Sequence, residues 1–358
     1  MLKKFSFLIC VALLSGCWDE RQYKDISVVP IVGHDGEIGE ITSYFTVPII
    51  KDETATTHVI EGKGVSIREA LEDANLKTSQ SMDVSKLIVI LFSDETVKTD
   101  IYEYLDVYYR NARNQLSTYI GITEGSTKPY LEVGNELQED AGTYFHDYIE
   151  GLERVSIYPK TDLQIICTML FDEGKDIVLP YFKISEDEKS ADIKGIALFN
   201  GKSYTGDYIN NQQAITLSVL RDTIGRNASF TYTFEGTPIT TVIRGIKKKW
   251  DYSEIENSNS IKLSYTLRVD VQEFSRDHLN DKETRNDIEQ FLSKKIEEDA
   301  QKLLEVLQES KSDPLGLGRR VRAFHPEVWE KGKWKETYST LKLEPSIKVI
   351  VERTGILH

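Results

Sequence analysis

Cysteine is almost missing from this chain. Three stand in 358 residues, at positions 10, 17 and 167, too few for a disulfide-stapled scaffold. A basic surplus is missing too: 44 Lys and Arg face 58 Asp and Glu, a formal charge of −14. The broad positive footprint that a nucleic-acid backbone requires is therefore lacking, and no nucleic-acid partner is expected. Past residue 17 the longest clean apolar run is 87–92. That is far short of the about 20 residues a membrane-spanning helix needs. Signatures of chemistry are lacking as well. None of His34, His58, His146, His278, His325 and His358 sits in H-E-x-x-H or pairs with cysteine at zinc spacing. No G-x-S-x-G elbow and no Walker loop occur. Gly62-Lys63-Gly64 and Gly316-Leu317-Gly318 are lone G-x-G pieces, better read as turn geometry than as phosphate cradles. Glu297-Glu298 reads as a solvated helix face rather than a carboxylate dyad. No catalytic residue, cofactor or metal ligand is assigned, and the expectation is a protein that is not an enzyme.

What is present is an ordinary globular composition, 40% hydrophobic and 28% charged, with apolar material for two or three domains. The N-terminus stands apart. Lys3-Lys4 precede an apolar stretch over 5–14, which ends in Leu14-Ser15-Gly16-Cys17. A short basic region, about ten apolar residues and a small-residue end make a secretory signal. The last four positions resemble a bacterial lipobox, which implies diacylglycerol on the Cys17 sulfur, cleavage before it and an N-acyl chain. Burying acyl chains contributes about 0.8 kcal/mol per CH₂, and stable anchoring takes about two chains; one such cysteine carries them. Cys10 would leave with residues 1–16. Cys167 would then be the one unmodified thiol, read as a buried small hydrophobe.

Periodicity predicts an α+β, multi-domain protein with antiparallel and mixed sheets, packed helices, and a long amphipathic helix on a sheet in the C-terminal domain. The expected division is a signal peptide at 1–16, an N-terminal α+β region at 17–188 with room for two subdomains, and a C-terminal α+β domain at 189–358. The boundary is placed at the polar stretch 185–190. Strands are expected at 26–33, 40–50, 86–92, 116–122, 163–170 and 177–182, the first two joined by the turn His34-Asp35-Gly36-Glu37. Helices are expected at 97–113, with Val97, Ile101, Leu105 and Tyr109 on one face, and at 136–155, with Tyr144, Tyr148 and Leu152 in line. Ser66-Ile67-Arg68-Glu69 fits a capping box ahead of the stripe Ile67, Ala70, Leu71 and Ala74.

In the second half, 193–199 reads as a strand, Asn200-Gly201 as a hairpin turn and 210–222 as a helix. Ile261, Leu263, Tyr265, Leu267, Val269 and Val271 alternate with polar neighbours, the mark of a half-buried strand. Residues 229–235 and 347–351 alternate in the same way. Between them Ile288, Phe291, Leu292, Ile296, Ala300, Leu303, Leu304 and Leu307 recur at steps of three and four. Asn280 with Glu283 is read as the capping pair of this helix, about 40 Å long, whose stripe lies across the sheet.

One stretch departs from the average charge. Residues 319–335 hold Arg319, Arg320, Arg322, Lys331, Lys333 and Lys335 against Glu327 and Glu330, together with Trp329. Two readings stay open. The stretch is a solvated connection between the long helix and the last strand with Trp329 packed as a lid, or Arg319, Arg320 and Trp329 form a docking patch for an acidic partner loop or anionic headgroups.

Three segments then act together. They are Leu14-Ser15-Gly16-Cys17-Trp18-Asp19-Glu20-Arg21, Ser190-Ala191-Asp192-Ile193-Lys194-Gly195-Ile196-Ala197-Leu198-Phe199, and Asp313-Pro314-Leu315-Gly316-Leu317-Gly318 followed by His325-Pro326, Trp329 and Arg353-Thr354-Gly355. In this order they resemble the Ger(x)C family, the C-subunit lipoproteins of spore germinant receptors. The family usually has an aromatic where Leu315 and Leu317 stand. The resemblance implies an α+β protein of about three domains on the outer face of the inner spore membrane. It implies polytopic A- and B-type receptor subunits as partners, a requirement in nutrient-triggered germination, and no known enzymatic activity. The rival readings are a surface enzyme of the envelope, which needs a catalytic constellation, and a solute-binding lipoprotein, whose usual repeated βα units differ from these long alternating strands.

Overall fold

Strands that are apolar on both faces must be covered on both faces, and that requirement organises the first half of the chain. The computed structural model describes residues 25–51, 54–137, 140–186, 189–276, 279, 281–329 and 333–354. Cys17, the signal at 1–16, His278, Asn280, Lys331, Gly355 and His358 lie outside these residues. Among the described residues no helix is long and apolar enough to cross a membrane.

The larger sheet has eight strands: β2 (Ile31–Glu37), β3 (Glu40–Lys51), β4 (Thr54–Gly64), β6 (Val89–Ser93), β7 (Tyr119–Thr123), β8 (Val178–Ile184), β9 (Ala191–Asn200) and β10 (Ser203–Ile209). Their order is β10-β9-β8-β7-β6-β2-β3-β4. The central pairs β2/β6, β6/β7 and β7/β8 are parallel and the flanks antiparallel. Alternate residues divide between two cores. Val89 and Leu91 face one, Ile90 and Phe92 the other; Ile196 and Leu198 face one, Ala197 and Phe199 the other. A parallel pair of short strands, β1 (Ile26–Val28) and β5 (Ser81–Asp83), stands beside it.

Helices α1 (Ile67–Asn75), α2 (Ile101–Arg110) and α5 (Leu163–Leu170) fill one face. Helices α3 (Lys128–Leu137), α4 (Ala141–Arg154) and α6 (Asn211–Arg221) lie on the chain's other core. That core is continuous with the second sheet, whose order is β11 (Ser229–Phe234), β12 (Thr237–Asp251), β13 (Ser260–Phe274) and β14 (Lys342–Arg353). The pair β13/β14 is parallel and the others antiparallel. A short α7 (Ile255–Ser258) joins β12 to β13. The connection from β13 back to β14 carries α8 (Lys282–Glu309), α9 (Leu317–Phe324) and α10 (Trp334–Thr340). The fold is thus α+β with a 28-residue helix on the second sheet. β8 and β9 pair antiparallel, and Ser185 N donates to Ser190 O at 2.9 Å, so the larger sheet takes β9 and β10 from beyond the expected boundary.

Periodicity read several elements closely. The six alternating residues of β13 are all buried, and so are Ile67, Ala70, Leu71 and Ala74 of α1. In α8 every stripe residue is buried except Phe291, which is partly covered. Other expectations are corrected. Residues 163–170 are helix, not strand: Asp162 caps Ile165 N at 2.9 Å, and Leu163, Ile166, Met169 and Leu170 form the buried face. Cys167 is half-buried on that helix. The helix expected over 97–113 is a 3₁₀ turn at Thr96–Lys98 followed by α2, restarted by the Asp100 cap on Tyr102 N, and its buried tyrosines are Tyr104 and Tyr108 rather than Tyr109. The helix expected over 136–155 begins afresh at the Asp140 cap. The first strand breaks at Val29-Pro30, and its turn falls at Ile38-Gly39, beyond His34. Asp281 caps α8 through Thr284 N at 3.1 Å, one residue after the expected Asn280. Gly62 and Gly64 are not in a turn. They lie in β4 against α1, where a Cβ would sit 2.0 Å from Ala70 O and 2.7 Å from Ala70 N. Glu297 is half-buried and bonded to Ile347 N, whereas Glu298 pairs with Lys295.

Candidate functional site

The segment Asp313-Pro314-Leu315-Gly316-Leu317-Gly318 folds around one fully buried carboxylate. Asp313 Oδ1 accepts from Gly316 N at 2.8 Å and Leu317 N at 3.1 Å. Its Oδ2 accepts from Gly318 N at 2.9 Å and Trp334 Nε1 at 3.1 Å. Gly316, with φ +75°, supplies the left-handed turn that feeds α9. Burial raises the Asp313 pKa to about 6; the N–H groups of Gly318 and Leu317 and the Lys335 ammonium oppose that rise, and Asp176 adds to it.

The partner of this loop comes from the other side of the chain. Asp176, just before β8, accepts Asp313 N at 2.5 Å through Oδ2, and Asp176 N donates back to Asp313 O at 3.0 Å. Asp176 Oδ1 accepts Gly201 N at 2.8 Å, and Lys335 Nζ from α10 closes on Oδ2. One buried aspartate thereby ties the β9–β10 hairpin, the signature loop and α10 together. Two glycines let the backbones meet. A Cβ on Gly174 would lie 2.5 Å from Arg319 N, and one on Gly318 would lie 2.5 Å from Trp334 Nε1. Arg319 N donates to Gly174 O at 3.1 Å.

The basic stretch sits on the outside of this junction. Arg319 is exposed but its Nε is paired with Asp172, which Arg322 also approaches at 3.7 Å. Arg320 is exposed, makes no ion pair among the described residues, and faces Lys248 and Tyr252. Trp329 is half-buried and stacks on Trp334 with centroids 5.7 Å apart, and the Arg322 guanidinium lies over it at 5.7 Å. Trp329 is thus packed while Arg320 stays exposed. His325 stacks on Tyr252, with Nδ1 3.4 Å from Glu327 and 3.6 Å from Glu256. A second imidazole–carboxylate group, His146, Asp147 and Glu150, lies on α4.

Sequence reading missed Asp172, Gly174, Lys175 and Asp176 altogether. Asp172-Glu173-Gly174-Lys175-Asp176 carries only the signal of a polar turn, and its meeting with Asp313 is a contact across 137 positions.

Residues 19–184 match the spore germination protein N-terminal domain, and residues 194–355 match the domain described as spore germination B3/GerAC like, C-terminal. The chain belongs to the Ger(x)C family of spore germination proteins. Spore germination protein GerQC of Bacillus cereus is 24% identical over 356 residues, covering 98% of each chain. Spore germination protein B3 of Bacillus subtilis (strain 168) is 25% identical over 386 residues, covering 97% of each. The crystal structure of the GerBC protein shares the fold, with a TM-score of 0.60 at 19% identity over 87% of this chain and 93% of that one.

Proposed function

We propose that this protein is a non-catalytic, lipid-anchored C subunit of a nutrient germinant receptor, required for spores to germinate in response to nutrients. The observation that carries the reading is similarity along 97–98% of the chain to proteins named for spore germination. Cys17 would hold the chain by diacylglycerol and an N-acyl group to the outer face of the inner spore membrane, beside A- and B-type integral membrane subunits. The Asp313–Asp176 junction serves as the rigid support of the docking surface, and Arg320, with Arg319 and Trp329 beside it, supplies the charge that meets an acidic partner loop.

Affinity capture of the tagged protein from spore membranes tests the reading, with the A- and B-type subunits as the expected co-purifying proteins. A Cys17→Ala chain should leave the membrane fraction when the other subunits are absent. Normal germination of a strain lacking the protein and its paralogues, or stable membrane attachment of Cys17→Ala in the absence of the other receptor subunits, would overturn it.

A further inference from the structure

Where α4 ends, a loop from the second half of the chain closes on it and leaves a cleft of about 350 Å³. Glu150 and Glu153 of α4, with Tyr158 after it, make one wall, and residues 223–226, which follow α6, make the other. The walls are clamped together. Gly225 N donates to Ser156 Oγ at 2.9 Å, Ser156 Oγ donates to Asn227 O at 3.0 Å, and Asn227 N donates to Arg154 O at 2.9 Å. A Cβ on Gly225 would lie 2.0 Å from Glu153 O, so glycine is what lets the loop come this close. The cleft is therefore preformed, and its volume falls in the range of small-molecule sites.

Two residues of the first wall carry buried polar atoms without partners. Glu153 Oε1 and Tyr158 Oη make no hydrogen bond. Tyr158 is only 1% exposed, and the hydroxyl of nearby Thr161 already donates to Pro159 O at 2.9 Å. A buried polar group left unpaired forfeits the bond that water would give it. Burial raises the Glu153 pKa and Glu150 adds to the rise, against the Tyr119 hydroxyl and the Lys160 ammonium. A cation set on this carboxylate relieves it. Yet Lys160 and Arg226 also line the cleft; both are exposed, and neither makes an ion pair or hydrogen bond among the described residues. Arg154, by contrast, is held by Glu150 at 3.6 Å. A simple cation would be repelled by Lys160 and Arg226, and a simple anion by Glu153. A ligand that carries both charges a few bonds apart satisfies both sides. Ile224, half-buried in the second wall, offers apolar surface for an aliphatic side chain.

We infer that this cleft binds a free aliphatic α-amino acid, its ammonium on Glu153 and Tyr158 Oη and its carboxylate on Lys160 and Arg226. The site concerns the isolated chain and does not rest on the docking surface or on the receptor reading.

The test is calorimetry on the full chain in detergent, titrated with L-leucine, with isoamylamine, which lacks the carboxylate, and with 4-methylpentanoate, which lacks the ammonium. Saturable 1:1 binding of L-leucine is expected, with both analogues at least tenfold weaker. Glu153→Gln should weaken L-leucine at least tenfold, and Tyr158→Phe, which loses only a hydroxyl, severalfold. Lys160→Gln with Arg226→Gln should weaken L-leucine but bind isoamylamine at least as well as the wild type, a split that a merely structural role would not produce. Without ligand the Glu153→Gln chain should melt no lower than the wild type, because an unpaired buried carboxylate has been removed; a lower melting point would show the carboxylate already engaged and count against the site. Absence of saturable L-leucine binding by the wild type, an analogue that binds as tightly as L-leucine, or L-leucine binding unchanged in Glu153→Gln would overturn the inference whatever receptor capture shows.

Discussion

Glu289 of α8 accepts the backbone N–H of Val351 on β14 at 2.8 Å, and the bond is one of a series. Ser293 Oγ accepts Val349 N at 2.8 Å and Glu297 accepts Ile347 N at 2.9 Å. Each step of four residues along a helix advances about 6 Å, and each step of two along a strand about 6.6 Å. Helix and strand therefore keep register over three bonds while running in opposite directions. β14 is an edge strand of its sheet, and a bare edge invites pairing with another chain. Here the long helix does more than bury Leu292 and Ile296. Its flank closes the edge.

Removing the series should expose that edge. The triple variant Glu289→Ala, Ser293→Ala, Glu297→Ala is expected to lose about 1 kcal/mol per bond and to self-associate. Urea denaturation and light scattering at increasing concentration measure the two effects. A variant that loses stability but stays monomeric would mean that bulk, not hydrogen bonding, protects the edge.

Asp176 is expected to be the costliest single polar residue of the C-terminal junction. Asp176→Ala removes the acceptor for Asp313 N and Gly201 N and leaves Lys335 without its partner in a mostly buried place. Breaking a buried pair in this way costs about 3–5 kcal/mol. Denaturant midpoints of Asp176→Ala and of Asp176→Ala with Lys335→Met separate the terms, because the second change removes the stranded ammonium and should recover part of the loss. A loss under about 1 kcal/mol would show that water replaces the carboxylate.

How much of this could be read beforehand follows the range of the interactions. β13 and α8 were legible because burial on one face leaves a period of two or of 3.6 in consecutive residues, and the capped start of α1 was legible because Ser66 and Glu69 are three apart. Residues 163–170 misled because Ile165 and Ile166 raise strand propensity, while the decisive cap, Asp162, lies outside the apolar run. β12 went unread as its polar half, Lys247 to Lys249, shows no alternation. The Asp313 segment stood out as a motif, yet what it holds did not, since Gly174 and Asp176 reach it only through the folded chain.

Buried His34 gives stability a defined pH dependence. It is held by Ser43 Oγ at 2.8 Å and Tyr108 Oη at 2.5 Å, and burial lowers its pKa from the ordinary 6.5 to about 3. Between those values the unfolded chain carries a proton that the folded chain refuses, so stability drains as pH falls, by about 1.4 kcal/mol per pH unit. Asp313 works in the opposite sense. Its folded pKa of about 6 lies above the ordinary 3.8, so the folded chain holds the extra proton in that window. Comparison with His34→Gln isolates the imidazole. The stability advantage of the wild type over this variant should shrink steadily from pH 6.5 to pH 4, read from urea midpoints, and a constant advantage would refute the buried neutral histidine.

Arg319 and Arg320 are neighbours in sequence but should behave differently when changed one at a time. Arg319 faces inward along the surface to Asp172, a carboxylate only 12% exposed, and its backbone is locked to Gly174. Arg319→Glu would set a second carboxylate against Asp172 and is expected to lower stability by at least about 1 kcal/mol. Arg320 has no such partner and lies on the side of Lys248, so Arg320→Glu should leave the melting transition within about 0.5 kcal/mol of wild type. If the proposed docking runs through this surface, Arg320→Glu alone should weaken receptor assembly and slow germination, more at low salt than at high salt, because exposed charges are screened within about 8–10 Å. Thermal denaturation together with co-purification from spore membranes checks both halves. Normal assembly and germination of Arg320→Glu at normal abundance would exclude this arginine from the contact and leave the basic stretch as the solvated cover of the Asp313 junction.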